Sequence, residues 1–258
     1  LLEQRGIRYA HFHYLLDHKE YDDDIGKTIS MEDFYKAMVG GADAHTAQIN
    51  VEEYCRYFTP FLEAGQDVLH LTLSSGLSGS YNSARIAAGI LKEQYPQRRV
   101  LVVDSLGASS GSGLLMITLA NLRDAGKSLD ELYDWAEAHR REMHHWFYSS
   151  DLTFYVKGGR VTKAAGWFGT VLKICPVLNM DVDGRLIPRF KVRGKQNAMR
   201  EIVRQMEQHA QGGLDYAGDV YISHSDCLAD AEKVAAMVRE RFPHVTEVPI
   251  FNIGPTIG

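Results

Sequence analysis

The sequence predicts an α/β fold in two domains, and three observations carry that expectation. Strand-like and helix-like segments alternate through the first half, residues 99–104 (RVLVVD) are apolar almost without interruption, and residues 174–192 carry a hairpin pattern with Asp183-Gly184 at its turn. Alternation of strand and helix implies parallel pairing, a continuous apolar run implies a strand covered on both faces, and the hairpin brings in antiparallel pairing. The expected division is an N-terminal domain over residues 1–145, with a mostly parallel sheet and flanking helices, and a C-terminal domain over 146–258 with a mixed or antiparallel sheet and helices. A chain of 258 residues is long enough for two cores. A cleft between two such domains is the expected ligand site.

The elements follow in order. Residues 67–73 (DVLHLTL) read as a strand running into a small-residue turn, and 78–95 as a helix with Ala84, Ala87, Ala88 and Leu91 on one face. The strand 99–104 comes next, then helices over about 111–124 and 128–143, separated by Gly126 with Ser128 as N-cap. After the hairpin, residues 195–210 read as a helix with Ala198, Ile202, Val203 and Met206 on one stripe. A strand over 218–223, a helix over 229–241 with Ala231, Val234, Ala235 and Val238 inward, and a last strand over about 245–251 complete the reading.

Composition excludes several classes. A net charge of -5 argues against a nucleic-acid binder that relies on a basic surface, although residues 185–200 hold six of the 28 basic residues. Three widely spaced cysteines, Cys55, Cys175 and Cys227, fit neither a disulfide framework nor a CxxC metal knuckle. No apolar run reaches 18 residues, so no stable membrane insertion is expected. A soluble, cytoplasmic protein is the expectation.

The segment most suggestive of chemistry is LHLTLSSGLSGSYNSARIAAGIL, residues 69–91. A strand ends at Leu73, and Ser74, Ser75, Gly76, Ser78, Gly79 and Ser80 lead into a helix. Helix amides and hydroxyls can point at an anion there. The segment lacks the Lys of a phosphate-binding GxxxxGK[ST] loop, and GLSGS is not a GxSxG nucleophile elbow. A carboxylate suits a hydroxyl-rich, lysine-free cradle better than a triphosphate does; a serine-rich cap and turn without a ligand explains the same residues equally well.

DSLGASSGSG, residues 104–113, also joins a strand to a helix, but Gly107, Gly111 and Gly113 do not fit GxGxxG; close helix–sheet packing explains them, with Asp104 and Ser105 at the cleft edge. Lys157, Arg160 and Lys163 in KGGRVTKAAGWFG (157–169), between a glycine-capped helix end and a second amphipathic helix, form one basic group. Lys191, Arg193, Lys195 and Arg200 form another; the two could face one phosphate-bearing partner or ligand, though a solvated face accounts for both more simply. His139, His144 and His145 lack metal-ligand spacing, as do the alternating His11 and His13; His224 could act as an acid or base with Asp226, though a surface or hydrogen-bonded loop histidine explains it more simply. No metal site and no nucleophile–base pair stands out.

Read together, these segments resemble the DegV family of bacterial fatty-acid-binding proteins. The resemblance is carried by DHKEYDDD at 17–24, HTAQIN at 45–50, SSGLSGSYNSAR at 74–85, VVDSLGASSGSGLL at 102–115, KGGRVTKA at 157–164, KVRGK at 191–195 and NIGPTIG at 252–258. It implies a DegV-like fold that holds a long-chain fatty acid between two domains, without a cofactor. It also implies that Thr46 and Ser74 or Ser75 hold the carboxyl group, with the Gly76 amide nearby. Arg160 and Arg193 match family arginines suited to an acyl phosphate or to docking a fatty-acid kinase, so the chain would be a carrier and the kinase the enzyme. Ala47 and Ile49-Asn50 depart from the family's TSQPS-like turn while Thr46 is kept. The family's first strand and a later His-containing segment would fall outside residues 1–258. Two rival expectations are an acyl or phosphoryl transferase with Ser74 or Ser75 as nucleophile, and a regulatory sensor whose partner binding depends on lipid.

Overall fold

The computed structural model describes residues 2–162 and 174–257. The first strands, β1 (His13–Leu16) and β2 (Lys19–Asp22), form a hairpin whose two turn residues, Asp17 and His18, both have positive φ. That geometry matches the right-handed twist of the strands. Helix α1 (Met31–Val39) is capped by Ser30, whose hydroxyl accepts from the Asp33 amide. Strand β3 (Ala44–Ala47) then pairs antiparallel with β1, giving a small sheet in the order β2-β1-β3. Tyr14 at its centre is 2% exposed and meets Phe34 of α1 edge-on.

Helix α2 (Val51–Glu63) starts at an Asn50/Glu53 capping box, in which each side chain satisfies the other residue's amide. Next come β4 (Val68–Thr72), α3 (Ser80–Gln94), β5 (Val100–Asp104), α4 (Ser109–Asp124) and α5 (Leu129–His139). Strands β4 and β5 pair in parallel, as the alternation predicts. Val102 of β5 packs with Tyr54, Phe58, Ala84, Ala87 and Leu91 of α2 and α3, while Val103 packs with Leu115, Leu119, Leu132 and Ala136 of α4 and α5. Both faces of β5 are therefore covered, which is why its sequence is apolar without alternation. Ser128 caps α5 in a box with Glu131.

The antiparallel sheet begins with β6 (Trp146–Tyr148). A short helix, α6 (Thr153–Lys157), follows, and β7 (Ile174–Met180) and β8 (Leu186–Arg193) form the expected hairpin, in the order β6-β7-β8. Gly184 takes φ +68 at the turn. A register shift at Val177/Leu178 faces Pro188, which lacks the amide a regular ladder would need. Helix α7 (Lys195–His209) packs with α8 (Leu228–Arg241) around Met199, Val203, Val234 and Phe242. Between and after them run β9 (Ile222–His224) and β10 (Ile250–Asn252), paired in parallel and shorter than expected. The second amphipathic helix expected after Arg160 lies mostly outside the described residues.

Candidate functional site

A cleft of about 1380 Å³ runs between these sheets. Phe12, Tyr14, Phe34 and Met38 line it from the β1–α1 side; Phe147, Tyr155, Val203 and Met206 line it from the β6–α7 side. Its polar lining includes Thr46 of β3 and Gln48 just after it, Ser78 in the β4–α3 turn, Ser109 and Ser110 at the start of α4, His145, and Arg160. Side chains of this kind suit an amphiphile, with apolar walls for a chain and a few hydroxyls for its polar end.

Thr46 sits on edge strand β3, exposed to the cleft and opposite Tyr14 in the register. Burial, with Asp23 and Asp24 adding to it, pushes the Tyr14 phenol up to about 12, so that wall stays uncharged. At the start of β3, Asp43 takes the ammonium of Lys157 at 2.7 Å and His45 at 2.9 Å, and the Lys157 bond chiefly holds its carboxyl below the usual range. This exposed pair links β3 to α6 across the cleft and contributes little stability by itself. On the opposite flank, Tyr35 of α1 donates to the Ile253 carbonyl at 2.9 Å, and the Thr256 amide donates to Asp23 at 3.0 Å.

Of the serine-glycine turn, Ser78 reaches the cleft, and Ser74, Ser75 and Gly76 do not line it. Ser74 is fully buried, its amide donating to the Gly107 carbonyl at 3.0 Å and its hydroxyl to the Gly184 carbonyl at 2.7 Å. The same hydroxyl accepts from the Gly76 amide at 3.1 Å, so the turn is clasped to the β7–β8 hairpin. A Cβ on Gly76 would sit 2.5 Å from the Asp183 carbonyl oxygen, so glycine is required for that approach. The Ser75 and Leu106 amides both donate to Asp104, at 3.0 and 3.1 Å, so one buried carboxyl organises the turns after β4 and β5. Ser78 shares a hydrogen bond with Ser80 at 2.9 Å and accepts from the Ser80 amide at 3.2 Å.

The arginines part company. Arg160 lines the cleft, its Nε donating to the Leu77 carbonyl at 3.1 Å and a second nitrogen to Gly158. Arg193 is exposed at the end of β8 and does not line the cleft. The expected basic groups are also dispersed, because Lys157 is paired with Asp43 and Lys195 with Asp230.

Two residues acquire roles that local sequence did not give them. Gly107 and Gly111, expected to serve helix–sheet packing, instead make room for the His145 imidazole, which a Cβ on either glycine would strike. His145 also lines the cleft, and burial drives its pKa down to about 4. The pair of glycines 38 and 34 residues before it was its one sequence signal, and they name no partner. Ser78 lay inside the recognised motif, but nothing local distinguished it from Ser74 or Ser75. Among the described residues no group of three or more His, Cys, Asp or Glu could hold a metal ion, and no helix is long and apolar enough to cross a membrane.

Fold and cleft together define the class: a mixed α/β protein whose sheets flank a large, mostly apolar cleft edged by hydroxyls. Comparison with known proteins narrows it. A family model described as an uncharacterised protein of the DegV family matches residues 1–258. A DegV domain-containing protein of Clostridium perfringens is 32% identical over 258 residues, covering 100% of this chain and 88% of the relative. A solved DegV lipid-binding protein from Thermotoga maritima has a TM-score of 0.85 at 27% identity, over 99% of this chain and 87% of that one. A Thermus thermophilus DegV family protein, described by its fatty acid binding, has a TM-score of 0.81 at 28% identity, over 100% and 89%. This chain belongs to the DegV family.

Proposed function

We propose that the protein is a cytoplasmic carrier that holds one long-chain fatty acid in the cleft and presents its carboxyl group to a separate fatty-acid kinase. The chain would divide into lobes over residues 1–145 and 146–258, with the acyl chain between them. The observation that carries this reading is the cleft itself, about 1380 Å³ with aromatic and aliphatic walls from both halves of the chain. The fatty acid binding of the Thermus relative supports it. Burying about 14 methylenes at about 0.8 kcal/mol each gives about 11 kcal/mol gross. Loss of translational and conformational freedom offsets part of that.

The carboxyl group is assigned to Thr46 and Ser78, the two hydroxyls that reach the cleft from β3 and the β4–α3 turn. Ser74, Ser75 and Gly76 act behind them by fixing the turn, and Arg160 stands where a phosphorylated head group or a docked kinase would meet the cleft edge. Arg193, on the surface, is assigned to partner contact alone. The Ser74 hydroxyl proton is directed at a carbonyl rather than a base, which counts against a transferase using it as nucleophile.

The test uses delipidated full-length protein titrated with palmitic acid, then assayed with ATP alone and with ATP plus a fatty-acid kinase. The reading expects saturable one-to-one binding, no acyl-phosphate from the protein alone, and acyl-phosphate when the kinase is present. Turnover without a kinase would overturn the carrier reading, and absence of binding would overturn the ligand assignment.

A further inference from the structure

We propose that His145 and the N-terminus of α4 form a second polar station in the cleft, which receives an uncharged hydroxyl carried on the acyl chain itself. This rests on the fatty-acid reading above and uses none of the residues assigned to the carboxyl group. Three observations converge on the station. The His145 ring lies against Gly107 and Gly111, where a Cβ on either glycine would collide with it, so the imidazole is aimed at the first turn of α4. The side chain is partly buried, lines the cleft, and makes no hydrogen bond to any described residue. A neutral-capable ring that faces the cleft without a protein partner has its hydrogen-bonding groups open to a ligand there.

The helix supplies the matching donors. In the first turn of α4 the Gly111 and Ser112 amides donate to the Ala108 carbonyl at 3.1 and 3.3 Å, while the Ser109 and Ser110 amides make no hydrogen bond. Both residues line the cleft. Of the neighbouring hydroxyls, Ser110 is paired with Ser223 at 3.0 Å and Ser105 with Ser112 at 3.1 Å. Free N–H groups at the positive end of a sixteen-residue helix favour a lone pair from oxygen.

The ligand group follows from charge. Burial keeps the imidazole neutral down to about pH 4, so it offers a donor and an acceptor but no counter-charge. A second buried carboxylate would lack compensation there, whereas a hydroxyl can accept from a helix amide and exchange a hydrogen bond with the ring. Against the apolar stretches of the cleft wall a hydroxyl would be left unpaired, so the position of the oxygen becomes a basis for selection.

The test compares delipidated full-length protein binding stearic acid with a series of hydroxystearic acids whose hydroxyl moves along the chain. The expected result is one position that binds roughly 2- to 10-fold tighter than stearate, the range of one net hydrogen bond, while other positions bind more weakly. His145→Leu should bring the affinity ratio at that position to about one or below. In the unaltered protein, the ring nitrogen resonances of His145 should shift more with that hydroxystearate than with stearate, a readout independent of whether the variant folds. No preferred position, equal shifts with both ligands, or an equal loss for both ligands in His145→Leu would overturn the proposal. The last result would move the carboxyl group to this station. Failure of unaltered protein to bind any member of the series would instead defeat the fatty-acid reading itself, and this proposal with it.

Discussion

Replacing Ser74 by alanine separates a structural role for this turn from a direct role in holding ligand. The hydroxyl donates to the buried Gly184 carbonyl at 2.7 Å and accepts from the Gly76 amide at 3.1 Å. Its loss leaves both groups without that partner in a region where Ser74 itself is fully buried. Each unsatisfied group costs about 1–3 kcal/mol; with partial relaxation of the half-buried Gly76, the sum is about 2–4 kcal/mol. For a chain of this size that lowers Tm by roughly 5–15 °C. Urea unfolding and thermal melts of delipidated protein read the stability, and palmitic acid titration below the shifted Tm reads affinity. The clasp account expects a large loss of stability with a smaller loss of affinity. A variant of unchanged stability that binds palmitic acid tenfold or more weakly would refute it and return Ser74 to the ligand.

Three further outcomes follow from the same geometry. Thr46→Val keeps the shape of the side chain and removes its hydroxyl, so palmitic acid affinity should fall roughly 2- to 10-fold in titration, with the melting curve little changed. His70 of β4 lies edge-on to Tyr54 and Phe58 with its Nε2 unpartnered, and burial lowers its pKa to about 4. The unfolded chain binds the proton first, at about 6.5, so stability is full above that pH and His70 lowers it by about 3 kcal/mol as pH drops toward 4; His145 is shifted the same way, so His70→Phe should make the slope shallower without abolishing it in urea unfolding across pH 4–7. Gly76→Ala should perturb the β7–β8 turn, because the added Cβ meets backbone at Asp183 and Gly184, and hydrogen exchange at Asp181–Arg185 should quicken.

Elements governed by local signals were legible in the sequence, and contacts between distant segments were not. The Ser128 cap, the doubly covered β5 strand and the Asp183-Gly184 turn each depend on neighbouring residues, and each is found where it was expected. The β1–β3 sheet went unread because its strands are four residues long and carry exposed charges such as Lys19, Glu20 and Asp22. The strand expected over 218–223 begins only at Ile222, where pairing with β10 takes hold. Within the site, Thr46 lines the cleft. What Ser74 does could not be read locally, because its hydroxyl's partner, Gly184, lies 110 residues further along the chain. The role of Gly107 and Gly111 was hidden for the same reason, since the group they accommodate comes from beyond α5.

The most direct test of the central claim is to denature freshly purified protein, extract it with organic solvent and quantify the released lipid by mass spectrometry. The account predicts about one fatty acid of roughly 14 to 18 carbons per chain, the length whose burial the apolar cleft rewards. An empty extract, from protein that also fails to take up added fatty acid, would contradict it.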